Sequence, residues 1–125
     1  MYLITGVAGF IGMHFAKKML DLGNKVLGVD NINNYYDTKL KKSRIKILAK
    51  YKNFKFIRAD LKDPNSYKKI KKSNISHIVH LAGQAGVRYS IKNPAAYVND
   101  NILSFVHLLE TFKDSKKIKC IVYAS

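Results

Sequence analysis

Apolar and polar positions alternate between two periods along the chain. The short runs "MYLIT", "KVLGVD", "FKFIRAD", "HIVHLAG" and "KCIVYA" predict five strands, and the last, a short β-favouring apolar run, reads as buried on both faces. The stretches between them are longer and carry polar faces. "GFIGMHFAKKMLDL" predicts a helix, with Gly23 placed to end it in the left-handed conformation. A second helical stretch runs from about Asp37 to Lys50. "DPNSYKKIKK" predicts a short helix with Asp63 as cap and Pro64 at its first position. After a long loop, "YVNDNILSFVHLLETF" predicts a helix whose Ile102, Phe105, Val106 and Leu109 fall at i, i+3, i+4 and i+7, one stripe for packing on a sheet.

Strands alternating with helices imply parallel pairing through right-handed crossovers. The expected fold is an α/β doubly wound parallel sheet of Rossmann type, strand order 3-2-1-4-5. Ligands of such sheets bind beyond the carboxyl ends of the strands, where the strand order reverses. That point lies between the first and fourth strands, and the unusual residues gather there. "TGVAGFIG" spaces Gly6, Gly9 and Gly12 as GxxGxxG. Gly6 permits a tight turn out of the strand, Gly9 lets backbone approach a pyrophosphate, and Gly12 lets the helix lie close to the strand. Phosphates would then face the free N–H groups and positive dipole end of the first helix. Asp30 closes the second strand at the distance expected for a ribose contact. A carboxylate there accepts from ribose hydroxyls and repels a 2′-phosphate, which favours NAD over NADP; the plainer alternative is an Asp capping its own loop. No Arg or Lys lies in "DNINN" to offset that repulsion, although Lys39 follows shortly after it.

Composition adds bounds. At 125 residues and 47% hydrophobic content the chain can bury one modest core, with no repeat or linker. The lone Cys120 sits within the last apolar run and reads as a small buried hydrophobe in a reducing, cytoplasmic setting. The apolar opening has no preceding positive region and is interrupted by three glycines, His14 and Lys17, so neither export nor a membrane span is expected. The net charge of +15 raises nucleic acid as a partner. However, Lys17 and Lys18, Lys39 to Lys42, Lys68 to Lys72, and Lys116 and Lys117 are scattered over what read as exposed helix faces and loops, without interleaved aromatics. The excess charge still attracts anionic ligands such as nucleotide phosphates.

"ITGVAGFIG", "VDNINNYYDTKLKKSRIKIL", "IRADLKD", "HLAGQAGVRYSIKNPAAYVNDNILSFVHLLE" and "VYAS" together resemble, in order and spacing, the N-terminal half of the extended short-chain dehydrogenase/reductases. Within them the pattern is most similar to NAD-dependent nucleotide-sugar epimerases of the UDP-glucuronate 4-epimerase type. "NNYYDTKLKKSR" and "QAGVRYSIKNP" are the more specific stretches. The resemblance implies that Phe10 and Ile11 flank the pyrophosphate, that Asp30 and Asn31 hold the adenosine ribose, and that Asp60 and Leu61 border the adenine. It also implies that Leu81, Ala82, Gly83 and Gln84 line the path to the nicotinamide ribose, with Asn101 beneath that loop. Arg88, Tyr89 and Ser90 fall where the family's loop approaches the sugar nucleotide. Gly83 stands where the group commonly has Ala, and Ser104 where it commonly has Gly.

The family's catalytic Ser or Thr, its Tyr-x-x-x-Lys pair and its uridine diphosphate domain all lie beyond Ser125 in this alignment. Residues 1–125 are accordingly expected to form the N-terminal portion of the NAD-binding domain, cut after the fifth strand. That portion carries no catalytic or metal-ligating set, is inactive alone and is prone to self-association through its last strand. The complete enzyme would pair as a homodimer and act on a nucleotide sugar. Two other readings share the residues: a fragment of a nucleotide-sugar 4,6-dehydratase or other 4-epimerase, and a non-catalytic nucleotide- or nucleic-acid-binding module.

Overall fold

A computed structural model describes residues 1–124. Five parallel strands form one sheet in the order β3-β2-β1-β4-β5, the order the alternation predicts. They are β1 (Tyr2–Thr5), β2 (Val26–Asp30), β3 (Phe54–Arg58), β4 (His77–His80) and β5 (Cys120–Tyr123). Successive residues of β1 point to opposite faces, and each face has its own apolar core. Ile4, Val7, Val26 and Val79 pack with Met13, Ala16 and Leu20 of α1 (Phe10–Asp21) and Leu48 of α2 (Thr38–Leu48). Leu3, Leu27, Val29 and Ile78 pack on the other face with Tyr67 and Ile70 of α3 (Ser66–Ile70) and with two residues of a later helix.

The start and stop signals are mostly where the sequence places them. Gly23 follows α1 at φ +79°, and the Asp37 carboxylate accepts from the Lys39 N–H at the start of α2, at 2.8 Å. Asp63 differs: its carboxylate takes the Asn65 N–H at 2.9 Å and caps a turn, so α3 begins two residues after Pro64, at Ser66. An Asp side chain offers its own turn as an alternative to a helix start, and here the turn wins.

The segment after β4 departs most from expectation. Instead of a long loop and one regular helix, the chain forms α4 (Val87–Lys92), α5 (Pro94–Tyr97), a π-helical stretch Val98–Leu103 and α6 (Ser104–Phe112). Pro94 at the first helical position, with the Asn93 amide oxygen accepting from the Ala96 N–H, starts the helical run early. The wide π turn then shifts the phase of the face that follows. Ser104, Leu108 and Phe112 are buried, whereas Ile102, Val106 and Leu109 are exposed; of the expected stripe only Phe105 packs on the core. Ser104 is small enough for Tyr67 to reach its carbonyl at 3.0 Å, which draws that side of α6 inward.

The apolar run of β5 taken alone predicts a strand buried on both faces, whereas the self-association expected through this last strand needs an exposed edge; the structure shows the exposed edge. Among the described residues β5 pairs with β4 alone, and Cys120, Val122 and Tyr123 are exposed. An edge strand has a neighbour on one side only, so a continuous apolar run is compatible with exposure. Cys120 is therefore an exposed thiol rather than a buried hydrophobe.

The glycines allow a direct test of close packing. A Cβ on Gly12 would overlap the Gly6 carbonyl, and both groups are backbone with no side chain to give way. Gly23, although left-handed, has nothing within 4 Å of the corresponding position. Gly12→Ala should cost about 3 kcal/mol or more, against about 1 kcal/mol for Gly23→Ala, read as urea midpoints by circular dichroism; equal losses would contradict this packing.

Candidate functional site

Beyond the carboxyl ends of the strands, where the sheet order reverses, lies a cleft of about 610 Å³. Its volume is in the range of small-molecule sites. Gly6, Gly9, Phe10, Ile11 and Gly12 form one wall, Asp30 and Asn31 the next, Asp60 and Leu61 a third, and Leu81, Ala82, Gly83 and Gln84 the far side. The structure thus brings all thirteen of these residues, drawn from four separate loops, to one cavity.

Backbone close approach shapes the centre of the site. Gly6 adopts φ +66°, and a Cβ there would lie 2.7 Å from both the carbonyl carbon and oxygen of Leu81. Gly9 precedes α1, and no side chain caps that helix. The first N–H groups of α1 therefore face the cleft mouth, flanked by the Phe10 and Ile11 side chains, 67% and 66% exposed.

Asp30 is tied to this wall. Its Oδ2 accepts from the Ala8 N–H at 3.0 Å, and its Oδ1 accepts from the Ile32 N–H at 2.9 Å. The second bond is the loop cap that the plainer reading anticipated; the first joins the acid to the glycine turn 22 residues away. Ile32 sits at φ +53°, a conformation β-branched residues avoid, so the carboxylate bond to its N–H helps hold a strained loop. Asn31 continues the wall, its amide oxygen accepting from the Asn33 N–H at 3.0 Å.

The Asp60 loop is braced by ions and a phenol. Lys62 Nζ lies 2.7 Å from the Asp100 carboxylate and 3.7 Å from that of Asp60, which ties the end of β3 to the π-helical stretch. The bond to Asp100 raises the Lys62 pKa above its ordinary value. The buried Tyr67 hydroxyl lies 3.0 Å from the Ser104 carbonyl and 3.3 Å from that of Leu61, and burial pushes its pKa up.

Asn101 lies behind the far wall rather than in the lining. Its amide oxygen accepts from the Gln84 N–H at 2.6 Å, and its Nδ2 donates to the Gln84 carbonyl at 3.2 Å. A Cβ on Gly83 would lie 2.9 Å from that amide oxygen, so the departure from Ala at this position matches the Asn101 contact. Arg88, Tyr89 and Ser90 are not brought to the cleft. They belong to α4, where Ser90 bonds the Val87 carbonyl and the Tyr89 ring packs 5.4 Å from that of Tyr35, itself a lining residue.

Besides Lys62, sequence reading missed two further cations of the lining. Lys41 and Arg44 of α2 both line the cleft, whereas Lys39 does not. Lys41 was expected on a solvated face and is instead 5% exposed, its ammonium donating to the Asn33 carbonyl at 3.0 Å and lying 4.3 Å from the Tyr36 ring centre. Burial lowers its pKa, partly offset by the charge of Asp30. Arg44 Nη1 donates to the Ala8 carbonyl at 3.1 Å, next to the glycine turn. The available signal was the position of these residues one turn apart on a helix that follows the loop after Asp30.

A family model described as GDP-mannose 4,6 dehydratase matches residues 3–125. The chain belongs to that family. It is 44% identical over 124 residues to UDP-glucuronate 4-epimerase 2 of Arabidopsis thaliana, covering 98% of this chain and 28% of the relative. It is 46% identical over 125 residues to a UDP-glucuronate 4-epimerase of Thermodesulfobacterium geofontis, covering 99% and 38%. Among solved structures it superposes on UDP-glucuronic acid 4-epimerase from Bacillus cereus in complex with UDP-glucuronic acid and NAD. There the TM-score is 0.87 and the identity 33%, over 98% of this chain and 38% of that one. The chain thus spans roughly a third of the length of these relatives. No helix among the described residues is long and apolar enough to cross a membrane.

His80, at the end of β4, is 6% exposed, and burial pushes its pKa down to about 4 from an ordinary 6.5. Between those values the unfolded chain binds the proton and the folded chain does not, so stability is full above pH 6.5 and falls as pH drops toward 4. The loss should reach about 3 kcal/mol and should flatten in His80→Phe, measured by urea unfolding at a series of pH values; an unchanged slope in the variant would contradict the assignment to His80.

Proposed function

We propose that this chain is the NAD-binding part of a nucleotide-sugar 4-epimerase of the UDP-glucuronate to UDP-galacturonate type. The observation that carries the reading is the 3.0 Å bond between Asp30 and the Ala8 N–H, which puts a ribose-binding acid beside an uncapped helix N-terminus at one cleft mouth. Phosphates fit the free N–H groups of Phe10, Ile11 and Gly12, and the missing side chain at Gly9 leaves room for them. Ribose hydroxyls would donate to the Asp30 lone pairs that the two backbone bonds leave free, with Asn31 beside them. Asp60 and Leu61 would border the adenine, and Leu81 to Gln84 the nicotinamide ribose.

When bound, NAD supplies the hydride acceptor for oxidation at the sugar's C4 and returns the hydride afterwards. This chain's own residues bind and orient; the sugar-side groups fall in the length of the relatives that the chain does not span. Arg44 and Lys41 add positive charge beside the glycine turn and the ribose acid, which suits a diphosphate ligand. The exposed Ile102 of the π-helical stretch and Val106 and Leu109 of α6 fit a homodimer contact in the complete enzyme. The 42 to 46% identity to relatives named as UDP-glucuronate 4-epimerases favours that reaction over the dehydration in the family model's description.

Calorimetry on the purified chain should show NAD binding more tightly than NADP, and Asp30→Ala should narrow that gap by about tenfold, the scale of one charge-assisted hydrogen bond. NADP binding as tightly as NAD to the unmutated chain would overturn the role of Asp30.

A further inference from the structure

β1 and β4 part company at the cleft. Thr5 and His80 are the last residues in shared register, after which Gly6 turns toward α1 and Leu81 enters the far wall. The parting removes the ladder acceptors that the Leu81 and Ala82 N–H groups would otherwise have, and buried N–H groups need partners. Both donate to Thr5 Oγ1, at 3.1 Å each. Thr5 is fully buried, so water is not an alternative.

A hydroxyl has two acceptor lone pairs and one proton. With both lone pairs committed to Leu81 and Ala82, the proton of Thr5 points to its remaining neighbour, His80 Nδ1, 2.8 Å away. Nδ1 must then be an acceptor, which leaves the neutral imidazole protonated at Nε2. The ring is held in plane by stacking on Phe105 of α6, with centroids 5.1 Å apart and planes 19° apart. The other end of the same loop is held by Asn101 on Gln84.

We propose that His80 is a positioning residue for the nicotinamide half of the cleft: by accepting the Thr5 hydroxyl proton at Nδ1, it keeps both Thr5 lone pairs on the Leu81 and Ala82 N–H groups and fixes that backbone against Gly6. The inference rests on the nucleotide reading of the cleft. Without an acceptor at Nδ1 the Thr5 proton has no buried partner, the hydroxyl rotates to find one, and one of the two N–H bonds is lost.

The test compares NAD with ADP, which lacks the nicotinamide riboside, by calorimetry on the full 125-residue chain. His80→Phe keeps a ring over Phe105 and removes the acceptor; His80→Asn offers an amide oxygen near the Nδ1 position. The Phe variant should bind NAD about tenfold more weakly with ADP affinity unchanged, and the Asn variant should recover most of the loss. A purely structural role would lower both ligands together, and an unchanged NAD to ADP ratio in the Phe variant overturns the proposal. Ring ¹⁵N spectra of the unmutated chain give a readout that needs no variant: Nε2 protonated supports the arrangement, and Nδ1 protonated overturns it. A chain that binds neither ligand overturns the nucleotide reading and the positioning role with it, while the ring spectra still decide the hydrogen bond itself.

Discussion

Gly6 lets the backbone leaving β1 touch the backbone leaving β4, and the rest of the site follows from that contact. Any side chain at this position would lie 2.7 Å from the Leu81 carbonyl, in a conformation that L residues avoid. With the side chain absent, the glycine turn and the far wall of the cleft become two faces of one narrow opening. The sheet supplies the reason the contact falls there: β1 lies between β2 and β4, so the chain leaving β1 heads to one side of the sheet and the chain leaving β4 to the other, and a crevice opens between them. Asp30 and Thr5 then secure the two flanks, one by bonding the Ala8 N–H and the other by gathering two N–H groups of the opposite loop.

Much of this was legible in the sequence because it depends on local pattern. The glycine spacing, the acid at the end of β2 and the alternation of strand and helix are short-range features, and each constrains backbone conformation directly. What the sequence obscured depends on phase or on partners. The π turn before Ser104 moves the buried face of α6 to Leu108 and Phe112, and no count of apolar positions reveals an extra residue in a turn. Lys41 looks like a solvated lysine until the Tyr36 ring and the Asn33 carbonyl are seen around it. Cys120 and Val122 read as buried because apolar strands usually are, yet β5 is paired on one side only among the described residues.

Charge is distributed around the cleft in a graded way. Asp30 and Asp60 lie on two of its walls, Lys62 bridges Asp60 to Asp100, and Lys41 and Arg44 stand on the α2 side near the glycine turn. The far wall is nearly uncharged and built from backbone, which suits close approach of a neutral ribose more than ion pairing.

The central claim is that four loops at the strand ends form one dinucleotide cleft. The most direct measurement is a titration of the ¹⁵N-labelled chain with NAD, followed by amide shifts. The account predicts that the shifts concentrate at Gly6 to Gly12, Asp30 and Asn31, Asp60 and Leu61, and Leu81 to Gln84, and saturate together with one affinity. Shifts spread over the exposed lysines of α3 and the Lys116–Lys117 turn, vanishing as salt is raised, would contradict it, because that is how diffuse attraction of an anion to a basic surface behaves.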